Sequence, residues 1–258
     1  PVVDTPENRE DYANYMKSVS IVDECVGRVI AAVKEKGIWD DTVLVFTTDH
    51  GLPLPGMKCT LFDTGIGVSL IMAGGGLSKG ACRNELISHI DLFPTFCQWL
   101  NIPVPNWCAG KCAVDLILND TPVRDLIFAE VNYHAAYQPM RMVRSKTYKL
   151  IKSFYDTSID CYPNIDDSPA KRYLTQSKNF HKERSEIMLF DLECDPTERQ
   201  NLAENPNYQE VKIKMLQTLD DWMYQTDDPL LTHKVLPHPK GAIINKMESL
   251  SPKDTDYV

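Results

Sequence analysis

An α/β fold is what this sequence predicts: a mixed or parallel sheet flanked by helices, followed by a smaller antiparallel sheet plus helix subdomain. Three observations predict it. A long stretch of helical period leads directly into a short β-branched apolar run, a second such run is followed by another helix, and past residue 122 strand-length segments alternate with tight-turn signals. The expected organisation is an α/β core over residues 1–122, an α+β subdomain over 123–228 and an extended tail over 229–258.

The elements follow in order. Tyr12, Tyr15, Met16, Val19, Val22, Val26, Val29, Ile30 and Val33 recur at three- and four-residue steps, the period of an amphipathic helix over residues 11–36, with Gly37 as its C-terminal stop. Residues 43–48, VLVFTT, carry no alternation, as expected of a central parallel strand covered on both faces. A second buried strand is predicted at 68–73, ended by three glycines, and a short helix at 91–100 with Asp91 near its start. Residues 126–131, 140–144 and 148–153 read as strands, the last two joined by a tight turn at 145–147. Residues 156–186 are polar and read as irregular, whereas 208–224 regain helical period through Val211, Met215, Leu219, Trp222 and Met223. The prolines of the last thirty residues suggest a tail wrapping the surface.

Composition excludes several classes. With 258 residues, 43% of them hydrophobic, the chain can bury a sizeable core. A net charge of −9 opposes binding to a phosphate backbone, so no nucleic-acid partner is expected. No apolar run approaches the length of a membrane span, and the chain reads as soluble, its compartment left open. Eight cysteines are too sparse for a disulfide scaffold, and the Cys108/Cys112 pair lacks the second pair that a zinc site requires. The chain begins at Pro1 rather than Met, so the native N-terminus is expected upstream.

In open α/β sheets ligands gather at the carboxyl ends of strands, which makes Asp49 and His50, immediately after the 43–48 strand, the first candidates for holding a ligand or metal. A polar turn that merely ends the strand is the plain alternative. Lys58 lies in a loop able to fold back over the same strand end and meet an anion; otherwise it is simply a solvated lysine. His134 precedes a strand and could face the same pocket or cap a carbonyl. His89 serves the start of its helix, His181, His233 and His238 are assigned no chemistry, and Trp107 and Trp222 read as packing residues.

The string TVLVFTTDHGLPLPGMKCTLFDTG, residues 42–65, resembles the second metal-binding block of the sulfatase family, within the alkaline-phosphatase-like superfamily. Further blocks stand in the family's order: DTPE at 4–7, SHIDLFPT at 88–95, YQPMR at 137–141, LFDL at 189–192 and DPTERQNL at 195–202. The likeness covers nearly the whole chain and is closest to heparan N-sulfatase-like members. It implies that Asp49 is a carboxylate ligand of a divalent cation, usually calcium, and that His50 completes the metal site or touches the sulfate. Lys58 would then offset the charge on the sulfate oxygens. The substrate class implied is a sulfated small molecule or glycan.

A sulfatase nucleophile is a formylglycine made from Cys or Ser in a CxPxR-type motif. Cys161-Tyr162-Pro163 has Ile165 in place of the arginine, and Cys194-Asp195-Pro196 has Glu198. The family's early aspartate pair is also missing, and two ligands do not make a calcium site, which takes about six to eight oxygens. The chain is therefore expected to be the C-terminal half of a sulfatase, with formylglycine and the other metal ligands in an N-terminal half of the same fold that is also its partner. Alone it is expected to be inactive. The alternatives are a phosphoesterase or phosphonate monoester hydrolase of the same superfamily, and a non-catalytic remnant.

Overall fold

The computed structural model describes residues 4–177, 185–232, 235–238 and 240–257. Helix α1 spans Pro6–Glu35 and starts where local chemistry directs it. The Thr5 hydroxyl accepts a hydrogen bond from the Asn8 N–H at 3.2 Å, Pro6 occupies the first turn where its missing donor costs nothing, and Glu7 meets the positive end of the helix. At the other end Gly37, with φ +68°, turns the chain away.

Strand β1 (Val43–Thr47) pairs with β2 (Leu70–Gly74), Leu44 opposite Ala73 and Phe46 opposite Ile71. The pairing is antiparallel, which corrects the central parallel strand expected from the sequence. An unbroken apolar run reports that both faces are to be covered; it does not report strand direction. No residue of either strand is buried. The short helix α2 (Asp63–Ile66) closes the loop between them. Helix α3 (Leu92–Trp99) follows a single turn at His89–Asp91, where Ser88 and Asp91 form a capping box. The Asp91 carboxylate is fully buried, accepts the Lys111 N–H at 2.7 Å and pairs with Arg124, fastening α3 to the segment that contains α4 (Val114–Asn119).

The second sheet is antiparallel throughout, in the order β3 (Ile127–Tyr133), β4 (Tyr137–Arg144), β5 (Tyr148–Ser153) and β6 (Ile187–Asp191). Its side chains alternate between two cores, as the two-residue strand period requires. Val143, Leu150 and Leu189 face helix α6 (Gln209–Gln225), meeting Met215, Leu219 and Met223, with the Trp222 ring stacked on Phe128 at 4.9 Å. Met140, Met142, Ile151, Met188 and Phe190 face the opposite way and close over Leu61, from the loop between β1 and β2. Leu61 is 1% exposed, so the second sheet is one wall of that loop's anchorage.

Two expectations are corrected. The stretch read as irregular contains helix α5 (Pro169–Ser177), nine residues that are too few to show a firm period: the Ser168 hydroxyl accepts the Lys171 N–H at 3.1 Å, Pro169 stands in the first turn, and the Asp11 carboxylate of α1 accepts the Ala170 N–H at 2.9 Å. Trp107 packs at the edge of the structure, 76% exposed with its ring stacked on Phe93 at 5.4 Å. The tail does more than wrap the surface. Asn245 bridges to both Ala136 and Tyr257, and the Leu236 N–H donates to the Tyr137 hydroxyl at 2.9 Å, so the tail clamps the β3–β4 corner.

Helix α1 shows the reverse of a core helix. Tyr12 and Val29 are 53% and 54% exposed, Met16, Val19 and Val22 are exposed with them, and its buried residue is Asn8 near the cap. A row of large apolar side chains left open in this way marks a contact surface. No helix among the described residues is long and apolar enough to cross a membrane.

Candidate functional site

The site is built on the loop that leaves β1. Asp49 and His50 stand at the strand's end, and the chain from there to α2 folds back on itself: the Gly51 N–H donates to the Gly65 carbonyl at 2.8 Å, Leu52 to Thr64 at 3.0 Å and Lys58 to Leu52 at 3.1 Å. Glycine is required at both ends of this closure. A Cβ on Gly51 would lie 2.1 Å from the Thr64 oxygen, and one on Gly65 would lie 2.2 Å from the Met57 oxygen. This closure brings the Lys58 backbone back beside Leu52.

Two anchors hold the loop on the second sheet. Leu61 is the apolar one. The polar one is Lys149 of β5, fully buried, whose ammonium lies 2.5 Å from Asp63, 2.6 Å from Glu198 and 3.1 Å from the Leu61 carbonyl. Arg144 adds a two-pronged contact to Asp63 at 3.2 and 3.1 Å, and Glu198 accepts the Asp63 N–H at 2.6 Å. Burial works to raise the Asp63 carboxyl, but Lys149 and Arg144 outweigh it and hold its pKa below the ordinary range. For Glu198 burial prevails over the pull of Lys149 and its pKa is raised.

The Lys58 ammonium reaches Asp166 at 2.8 and 3.1 Å. That hydrogen bond raises the lysine's pKa against the opposing effect of burial, with further support from the charges of Asp166, Cys59 and Asp49. His50 directs Nδ1 to the Gly51 carbonyl at 2.9 Å, and its Nε2 lies 3.7 Å from an Asp49 oxygen that also accepts the His50 N–H at 3.0 Å. His134 sits at the β3–β4 corner. Its pKa is lowered first by burial, then by the positive charge of Lys58, with Asp166 opposing and His50 adding to the decrease. All four residues singled out in the sequence therefore fall within one electrostatic neighbourhood.

Donor chemistry decides what the pair after β1 can hold. The Asp49 side chain is 91% exposed, an open hard oxygen ligand, and His50 stands beside it. Among the described residues no group of three or more His, Cys, Asp or Glu could hold a metal. Asp49 and His50 thus fit part of a cation's coordination shell and do not fill it.

The residue that sequence reasoning missed is Asp166. It lies in the stretch read as irregular, 108 positions from Lys58, and no local spacing announces such a partner. His89 lies at the start of α3 as expected, its Nε2 2.9 Å from the Thr47 hydroxyl. His181 and His233 lie outside the described residues.

Residues 3–102 match the sequence model of the family described as Sulfatase. This segment belongs to the sulfatase family. Across its length the chain is similar to the N-sulphoglucosamine sulphohydrolase of Homo sapiens, 26% identical over 88% of the chain and 50% of that protein. It is equally similar to a ulvan-active sulfatase of Formosa agariphila, 26% identical over 93% of the chain and 49% of that enzyme. The chain spans about half the length of these sulfatases. Solved structures of a 2-O GAG sulfatase and of phosphonate monoester hydrolases share the fold. One further structure, in complex with its substrate D-glucosamine-2-N,6-O-disulfate, superposes with a TM-score of 0.66 at 20% identity, over 83% of this chain and 41% of its own.

Proposed function

We propose that the chain is the C-terminal half of a sulfatase that hydrolyses a sulfate ester or sulfamate on a sugar. The observation that carries this reading is the match of residues 3–102 to the sulfatase family, the segment in which Asp49 and His50 follow β1 and Lys58 stands on the loop that leaves it. Asp49 and His50 would hold a divalent cation, calcium as the resemblance to sulfatases implies, with the remaining ligands from the other half. When bound, that ion supplies positive charge beside the sulfate oxygens.

The chain's own contribution is to bind and orient. Lys58 would meet the non-bridging sulfate oxygens and offset the charge that builds there as the sulfur is attacked. His134, its pKa lowered, would stand at the pocket wall as a neutral imidazole able to donate to or accept from the leaving group. The attacking formylglycine would come from the N-terminal half. Two surfaces support a missing half as the partner: the open apolar row on α1 and the uncovered β1–β2 ladder. A sugar substrate is supported by the substrates named for the human relative and for the substrate-bound structure.

A phosphoesterase or phosphonate monoester hydrolase is the second reading, supported by the phosphonate hydrolases that share the fold. Comparing turnover of sulfate and phosphate esters by the intact protein separates the two. Lys58→Ala in the intact protein tests the site itself: turnover should fall about a hundredfold or more while the protein stays folded, and near-normal turnover would remove Lys58 from the chemistry.

A further inference from the structure

We infer that Asp166 sets the charge preference of the Lys58 site, holding the lysine's positive charge half-spent so that the site takes a singly charged sulfate ester and disfavours a doubly charged phosphate. The inference rests on the reading of Lys58 as the group that meets the anion. Its observation is separate: a carboxylate stands within 2.8 Å of the very ammonium that must receive that anion.

The placement of Asp166 is built, not incidental. On one side of it the buried Asn164 side chain accepts the N–H groups of Ala135 and Ala136 at 3.0 and 2.8 Å, tying the turn to the β3–β4 corner that carries His134. On the other side the buried Lys171 ammonium holds the Ile165 carbonyl at 2.7 Å and Asp167 at 2.9 Å. Ser251 of the tail donates to the second Asp167 oxygen at 2.7 Å. The neighbouring start of α5 and two elements distant in sequence, the β3–β4 corner and the tail, therefore fix the backbone around one carboxylate that faces Lys58.

Charge arithmetic gives the consequence. A fixed negative charge beside the anion repels a dianion twice as strongly as a monoanion at the same position, since Coulomb energy scales with the product of charges. Specificity of this kind is a difference between two affinities, and here the repulsive element provides it. Removing the charge should therefore improve both anions, the dianion more. If the monoanion gains about tenfold, the doubled energy gives the dianion about a hundredfold, a shift in preference of about tenfold.

The test uses two non-hydrolysable probes of matched shape, benzenesulfonate as the monoanion and phenylphosphonate at a pH where it is doubly ionised. Their affinities for the intact protein are measured by calorimetry at low ionic strength, for the wild type, Asp166→Asn and Lys58→Met. The expected result is loss of both affinities in Lys58→Met and, in Asp166→Asn, a larger gain for the phosphonate than for the sulfonate. Equal gains, no gain, or a larger gain for the sulfonate would overturn the role of Asp166 while leaving Lys58 in place. Affinities untouched by Lys58→Met, or no binding of either probe by any form, would overturn the Lys58 reading itself. Asp166→Ser repeats the comparison with a smaller neutral side chain, should Asp166→Asn lower the melting temperature.

Discussion

Replacing Lys149 by Met tests whether the loop bearing Lys58 is held by charge. Methionine keeps most of the volume of the buried stem and removes the ammonium that Asp63, Glu198 and the Leu61 carbonyl share at 2.5, 2.6 and 3.1 Å. Asp63 retains Arg144, but Glu198, whose side chain is 2% exposed, loses its cation. The folded protein can escape an isolated buried carboxylate by protonating it. From an ordinary value of 4.5, protonation near pH 7 costs about 3.4 kcal/mol at about 1.36 kcal/mol per pH unit, which caps the penalty on Glu198. Near pH 5 the same route costs about 0.7 kcal/mol. The sign follows: the variant's Glu198 binds its proton more tightly folded than unfolded, so the deficit is small in acid and grows as pH rises. Urea unfolding of wild type and Lys149→Met near both pH values should therefore show a destabilisation of about 3 kcal/mol that shrinks by more than half in acid. A deficit that is small, or equal at the two pH values, would refute the view that this ammonium clasps the loop.

Other consequences are simpler. Leu61→Ala should cost about 2 to 5 kcal/mol in the same assay, because the leucine fills the space between the loop and the second sheet. Asp228 pairs with the fully buried Arg141 at 2.5 and 3.0 Å; burial opposes ionisation, yet the arginine keeps its pKa below 3.8. That pair's stability is present above the unfolded value and lost as pH falls through the folded one, so Asp228→Asn should flatten the acid limb of stability against pH, measured by thermal melting. His134 should titrate below 6.5 when followed by NMR, and Lys58→Met should move its midpoint upward because a nearby positive charge is gone. A midpoint above 6.5 in the wild type would contradict its burial beside Lys58.

Much of the fold was legible because the strongest signals are local. The stop at Gly37 and the turn at 145–147 each depend on a few neighbouring residues and appear where the sequence put them, whereas the cap at Thr5 and Pro6 starts α1 ahead of the residue-11 start that the apolar period indicated. The direction of β1 was not legible, since an apolar run has no polarity. Helix α5 escaped notice because its nine residues are too few to show a firm period, although Ser168 and Pro169 give it a local start. The site divides in the same manner. Asp49, His50 and Lys58 stand on one loop whose closure two glycines enforce, so sequence order already suggested their proximity. Asp166 comes to Lys58 through Asn164 at the β3–β4 corner and through Ser251 of the tail, long-range contacts that no spacing encodes.

The two halves of the described structure depend on each other through the loop between β1 and β2. Leu61 and Asp63 bind it to the second sheet and Lys58 pairs with Asp166, while the Asp49 side chain stays 91% exposed. A loop fixed along one edge by a buried clasp presents its other edge without the entropy cost of ordering it at the moment of binding. This explains why a buried charge network, which on its own contributes little net stability, sits beneath an exposed carboxylate. It also separates the effects expected of substitution: changes in the clasp should weaken folding and ligand affinity together, whereas changes at Lys58 or Asp166 should alter affinity with the melting temperature nearly unmoved.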